Sequence, residues 1–176
     1  MKNGLYLAYI CAIVNAIIVG LSFLFTKTAI NESNPLDTLA FRFTVAFLTV
    51  SLLIIFKIVK VEIRLKSYTK LLPLTILYPT LFFSFQAFGL QSVPSSEAGI
   101  LFATIPILTT IMASIFLKEQ TTSIQKFSII LSVIGVIYIF LMKGSSLTVT
   151  SWSGILLLLI SCLSSAGYAV LTRSLV

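Results

Sequence analysis

The chain has 176 residues, 58% of them hydrophobic and only 10% charged, with a strongly positive mean hydropathy. Those values exclude an ordinary soluble domain, and the apolar runs recur along the whole length. A net charge of +7 would point to nucleic acid in a soluble protein, but most basic residues fall in short segments between apolar runs, so the expected surroundings are a lipid bilayer and no nucleic acid.

The first uncharged run, from Asn3 to Thr26, is too long for the apolar core of a signal peptide and lacks a clear cleavage site, so it reads as a first membrane helix. Ala8, Ala12, Asn15, Val19, Ser22 and Thr26 form its small and polar stripe. Asn15 either bonds a neighbouring helix or faces a water-filled path, and the residues leave both readings open. Cys11 in this run, like Cys162 later, reads as a small buried hydrophobe. With no histidine and no metal-ligand spacing, neither a metal nor a cofactor is expected.

Asn34-Pro35 punctuates the next turn, with Pro35 suited to the first helical position. Asn31-Glu32-Ser33 matches a glycosylation acceptor but lies too close to the membrane to weigh. The second helix runs from about Thr38 to Phe56 and carries Arg42 one turn inside. Its long stem either snorkels to the outer interface and pairs with Asp37 or another loop acid, or it acts as an electrostatic gate for an anionic or zwitterionic solute.

From Lys57 to Lys70 the sequence KIVKVEIRLKSYTK holds five basic residues and one acid, the strongest orientation signal in the chain. The third helix, about Leu71 to Leu90, is interrupted by Pro73 and Pro79. Thr75, Pro79, Gln86 and Gly89 share a face, Tyr78 adjoins the second proline, and Pro79 predicts a kink.

The fourth helix is the stretch around which the chain is organised. Between Glu97 and Lys118 about 20 uncharged residues span roughly 30 Å, the thickness of the hydrocarbon layer. Ser95 and Ser96 are placed to cap its free amides, Glu97 to sit in its first turn and Lys118 to meet its carbonyl end. Gly99, Ala103, Pro106, Thr110, Ala113 and Leu117 share a narrow, slightly polar face. That face is either a packing seam or, at Pro106 and Thr110, irregular backbone lining a cavity.

After the polar turn KEQTTSIQK, the fifth helix runs from about Ser123 to Met142, with Ser128, Ser132 and Gly135 read as a packing stripe. A Gly/Ser/Thr loop, 143–151, leads to the sixth helix, which occupies 152–172. Trp152 marks an interface, and Ser161, Ser165, Tyr168 and Thr172 lie along one side.

Alternating sides place nine basic residues on one side and two on the other, with Arg42 within the membrane. This bias puts both the N-terminus and the C-terminus in the cytoplasm. Phe23-Leu24-Phe25-Thr26-Lys27 in the first helix can be laid on Ala169-Val170-Leu171-Thr172-Arg173 in the sixth, with Gly20 on Ala166. A unit of five spans, being odd, would be inverted in its second copy, a common construction for secondary transporters.

Several stretches resemble a known family. AFGLQSVPSSEAGILFATIPIL (87–108), then IFLKEQ (115–120) and IGVI (134–137), together with Arg42 after the Asn-Pro turn, look like the EamA repeat of the drug/metabolite transporter (DMT) superfamily. The family's helix 4 proline, the acid closing that helix, the glutamine opening helix 5 and its late glycine fall at Pro106, Glu119, Gln125 and Gly135. Where the family commonly has Trp-Gly in helix 1, Val19 precedes Gly20.

The resemblance implies a ten-helix transporter of two inverted five-helix repeats, usually an exporter of metabolites, amino acids or drugs. Within it, 4–142 would be one repeat, 143–151 a loop, and 152–176 the first helix of a second repeat whose other helices are missing. The expectation is therefore an all-α membrane protein with about six transmembrane helices, no enzyme and no catalytic residue. It would reside in a bacterial plasma (inner) membrane and move a small organic solute by alternating access. Asn15, Ser22, Tyr78, Gln86, Pro106, Thr110 and Tyr168 are the cavity candidates, Arg42 is the gate, and Glu97 is the candidate for proton coupling unless that group lies in the absent half. A second chain or a homodimer would complete the transporter. The alternative is a truncated or split product serving only as a structural subunit.

Overall fold

In the computed structural model of the chain, residues 2–59, 68–142 and 149–175 are described. Lys60, Arg64 and Lys66 of the basic segment, and Lys143 to Thr148 of the predicted loop, lie outside them. The regular structure of the described residues is helical throughout: α1 (Lys2–Glu32), α2 (Pro35–Ile55), α3 (Tyr68–Thr75), a π-helical turn (Ile76–Leu81), α4 (Phe82–Ser92), α5 (Ser95–Phe102), α6 (Ile105–Phe116), α7 (Ser123–Met142) and α8 (Val149–Leu175).

Five stretches are long and apolar enough to cross a membrane: Tyr6–Glu32, Pro35–Ile55, Leu71–Ser92, Ser95–Phe116 and Trp152–Leu175. The sixth predicted span is α7, which has 20 residues and so a length of roughly 30 Å. The protein is thus an all-α membrane protein. Its outward side chains fit that reading, since Phe25, Phe41, Phe47 and Ile124 are each at least 70% exposed, a surface suited to lipid and not to water.

Local chemistry sets the helix ends. Asn34 caps α2 with extended backbone, its side chain accepting from the Leu36 amide, with Pro35 at the first helical position and Asp37 in the first turn. The start of α7 is a capping box, in which Thr122 N–H donates to Gln125 Oε1 (2.8 Å) and Gln125 N–H donates to Thr122 Oγ1 (3.3 Å). The glutamine that the sequence places at the head of this helix therefore holds its first turn. At α5 the cap position falls on Pro94, which offers no side-chain bond, and Ser95 is already helical.

Two spans are broken where the sequence predicts a kink or continuity. Pro73 lies within α3 without interrupting it; the break of the third span is at Pro79 alone, where Tyr78 adopts extended backbone (φ −143, ψ 116). Pro79 has no N–H for the carbonyl four residues back, and the Thr80 hydroxyl donates to that carbonyl, Thr75 O, at 2.9 Å. The fourth span, expected as one helix, is two: α5 ends at Phe102 and α6 begins at Ile105. The Leu101 carbonyl at this step accepts from the Thr104 hydroxyl (2.6 Å) and from Cys162 Sγ (3.6 Å).

The helix that organises the bundle is α8, not the fourth span. It packs against α4, the π turn, α5 and α6, and buries Ile155, Leu158, Ser161, Cys162, Ala166 and Val170. In lipid the association of helices depends on close backbone approach and interhelical hydrogen bonds, because lipid tails are as apolar as leucine. Both are present. Gly89 of α4 and Gly154 of α8 meet so closely that a Cβ on either would lie 3.0 Å from the other's carbonyl oxygen. Below that crossing, buried Ser161 donates to the Phe82 carbonyl at 2.8 Å. Lys27 ties α1 to the end of α4, its ammonium donating to the Leu90 carbonyl and, at 3.4 Å, to that of Gln91, where a cation complements the helix C-terminus.

The stripe Ser128, Ser132 and Gly135 on α7 is exposed. Its hydroxyls bond back to Ile124 and Ser128 of their own helix, and no atom lies within 4 Å of a Cβ built on Gly135. It is not a packing seam against the described helices. The stripe of the fourth span divides likewise, with Ala113 buried while Gly99, Ala103 and Pro106 are exposed.

Candidate functional site

Arg42 sits two turns into α2, roughly 10 Å from its start. Asp37 is not its partner. The guanidinium lies over the Phe83 ring of α4, with Cζ 4.0 Å from the ring centroid. It donates from Nη1 to Oγ1 of Thr26 of α1 at 3.4 Å, and Thr26 itself is buried. The physical reason is the neighbourhood: an aromatic face stabilises a partly desolvated guanidinium by about 0.5–2 kcal/mol, whereas Asp37 belongs to the first turn of α2, where the helix terminus already favours its charge.

From Phe83 the rings continue inward. Tyr78 is 5.3 Å from Phe83, 4.8 Å from Phe82 and 5.2 Å from Tyr168 of α8, centroid to centroid. Phe43 of α2 meets Phe83 edge-on at 6.0 Å. On the other flank Phe82 contacts Phe102 at 5.5 Å, and Phe102 contacts Phe23 of α1 at 4.6 Å. Tyr78, whose extended backbone leaves the helical path, meets Tyr168 of α8 across this wall. Arg42, Tyr78 and Tyr168, far apart in sequence, thus belong to one cluster, with two phenol hydroxyls and one cation among otherwise apolar rings.

The other candidates lie elsewhere. Asn15 lines a groove of about 600 Å³ between α1 and α5, together with Ala16, Gly20, Gly99 and Ala103. Ser22 donates to the Val19 carbonyl of its own helix at 2.7 Å. Gln86 is 2% exposed, and its side-chain oxygen has no hydrogen-bond partner. The Pro106 ring is exposed, and Thr110 donates to the Pro106 carbonyl at 2.8 Å and faces a smaller groove, about 240 Å³, that includes Lys126 of α7. Glu97 is in the first turn of α5. A third groove of about 540 Å³, lined by Met112, Phe116, Leu163, Gly167 and Leu171 among others, separates α6 from α8. Near the end of α8, Arg173 forms an ion pair with Glu119 at 3.2 Å.

Sequence reasoning missed Phe83 and the role of Thr26. Thr26 lay on the polar stripe of the first helix, which was a signal; Phe83 sits in the run LFFSF (81–85), where nothing distinguishes the ring that faces Arg42 from its neighbours.

The described residues thus form an all-α membrane bundle with two interrupted spans and an aromatic cluster that holds Arg42. Residues 6–141 match the EamA-like transporter family, and the chain belongs to that family. It is 51% identical over 168 residues to the uncharacterized transporter YcxC of Bacillus subtilis, covering 96% of this chain and 54% of that protein. An uncharacterized transporter of Buchnera aphidicola is 32% identical over 93 residues, 53% of this chain and 31% of the relative. One of Archaeoglobus fulgidus is 26% identical over 156 residues, 89% of this chain and 54% of the relative. The chain therefore spans about half the length, or less, of these relatives. No solved structure matches it.

Proposed function

We propose that the protein moves a small organic solute across the bacterial plasma (inner) membrane by alternating access, as an exporter of metabolites, amino acids or drugs, with the solute held against the ring wall of Phe83, Tyr78 and Tyr168. The observation that carries this reading is the helix break at Tyr78–Pro79, which presents aromatic and phenolic groups from two spans beneath Arg42. Interrupted backbone at membrane depth is tolerated where it is buried in protein or lines a cavity, and transporters of this construction bind solute at such interruptions.

In this reading 4–142 is one five-helix repeat, 152–176 begins an inverted second one, and both termini are cytoplasmic, as the basic bias requires. Further helices, from the same chain or a second copy, cover the groove of Asn15, Gly20 and Gly99 and the outward face of α7. Asn15, Ser22, Pro106 and Thr110 then face solute or companion helices, Arg42 gates the path, and Glu97 is the proton-coupling group.

Flux in sealed vesicles tests the proposal. Labelled amino acids, sugars, nucleosides and cationic drugs are each offered with and without an imposed proton gradient. At least one class should cross faster than in empty vesicles, with the rate falling at least tenfold in Tyr168→Ala. Equal rates with and without the gradient would dismiss proton coupling at Glu97, and flux of every class equal to empty vesicles would overturn the transport reading itself.

A further inference from the structure

We infer that the site takes an organic anion, a monocarboxylate with an apolar or aromatic body, and that Arg42 is the group that binds the carboxylate; this rests on the site assignment proposed above. The guanidinium is the argument. It carries a full charge roughly 10 Å inside a membrane helix, and among the described residues no carboxylate pairs with it. Its interactions are one long hydrogen bond to a neutral hydroxyl, 3.4 Å to Thr26 Oγ1, and the face of Phe83 at 4.0 Å.

An arginine has five N–H donors in a planar fork matched to a carboxylate, and one of the five is spoken for here. An ionised side chain at such depth ordinarily acquires a counter-charge. Glu119 is engaged by Arg173 at 3.2 Å, and Asp37, in the first turn of the same helix, is not bonded to Arg42. Among the described residues the other N–H donors of the fork meet no carboxylate, and an acceptor that arrives with the ligand can engage them.

What surrounds the cation selects the rest of the molecule. Phe83, Tyr78 and Tyr168 form a continuous ring surface with centroids 5.2–5.3 Å apart, backed by buried Phe82, and the described groups of this wall are apolar but for the two phenols. A cationic solute would be repelled by Arg42. A sugar would leave most of its hydroxyls facing rings, with only the two phenols and the guanidinium to bond them. A carboxylate carrying a planar or aliphatic body satisfies both parts at once, as offset stacking on the rings accompanies the charged hydrogen bonds.

The test is binding to the purified chain in a neutral detergent free of anionic lipid, at pH 7, read as thermal stabilisation and by titration. The probes are phenylacetate, its neutral isostere phenylacetamide, and phenethylamine. Phenylacetate should bind about 10- to 100-fold more tightly than the amide, the range of one charge-assisted hydrogen-bonded pair, and the amine should not bind. Arg42→Gln should erase that preference, and Arg42→Lys, which keeps the charge but not the fork, should retain part of it.

Equal affinity for the three probes, or a preference for phenylacetate that survives Arg42→Gln, would overturn the inference. So would stabilisation by added phosphatidylglycerol with none by phenylacetate, which would make a lipid headgroup the counter-ion. If Arg42→Gln does not fold, the three probes on the unaltered chain still decide. Phenylacetate binding without flux of any solute would contradict transport and leave the carboxylate site standing; flux confined to neutral or cationic solutes would do the reverse.

Discussion

Two glycines set how closely α4 and α8 approach. At Gly154 a Cβ would lie 2.7 Å from Val93 Cγ2 and 3.0 Å from the Gly89 carbonyl, and at Gly89 it would meet Leu158 Cγ at 2.7 Å. Backbone is one of the obstacles at each, so the helices would have to part. Overpacking of this kind costs about 1–3 kcal/mol. Gly154→Ala and Gly89→Ala should each lower the unfolding midpoint in detergent by several degrees, while Gly20→Ala, with no atom within 4 Å of its added methyl, should leave it unchanged or raise it slightly. The sequence marked Gly89 as part of a small face but gave no sign of Gly154, because a close crossing is a property of two helices and only one of them was read as small. Arg42 was legible as an anomaly, a charge inside an apolar run. Its partners were not, since Thr26 lies 16 positions away and Phe83 lies 41 away, and pairing by distance in space has no trace in spacing along the chain.

At the scale of elements, the sequence predicted six apolar helices, and the spans follow from length and hydropathy alone. What it did not show is where helices stop being regular. Both prolines of the third span looked like breaks, but only Pro79 breaks it; Pro73 lies within a short helix. Pro106 looked like the disruption of the fourth span, and the irregularity falls ahead of it, at Ala103 and Thr104, leaving Pro106 in the opening turn of α6, a position that tolerates its missing N–H. If the break at Pro79 is what aims Tyr78 at Tyr168, restoring the amide should undo it. Pro79→Ala is expected to keep the far-ultraviolet helical signal unchanged or slightly increased while weakening phenylacetate binding by about tenfold or more, as loss of one positioned contact set commonly does. Unaltered affinity in a folded Pro79→Ala protein would mean that the broken backbone does not shape the site.

Taken as a whole, the molecule is an asymmetric bundle. Its last described helix is the most buried, and α7 and the outward flank of α1 carry exposed apolar side chains. The first and sixth helices, read as counterparts from Phe23–Lys27 and Ala169–Arg173, differ sharply in surroundings: Ala166 is fully buried, whereas Gly20, its counterpart, opens onto the groove with Asn15. If the two are related by inversion, a second helix set should pack on α1 as α4 and α6 pack on α8. The architecture class was therefore readable from sequence, but the centre of the bundle was not, because burial in a membrane protein is decided by small-residue and hydrogen-bonded contacts rather than by hydropathy, which is high everywhere along this chain.

The claim on which the functional account depends is that water reaches the Tyr78–Tyr168 wall in the middle of the membrane. A single cysteine tests it directly: Tyr168→Cys in a Cys11→Ser background, in sealed vesicles, treated with a membrane-impermeant thiol reagent added to either side. The account predicts modification of Cys at position 168 from at least one side, slowed by saturating phenylacetate, while buried Cys162 in the parent background stays unmodified. No reaction from either face, under conditions in which a cysteine at Asn34 reacts fully, would show a sealed interior and contradict it.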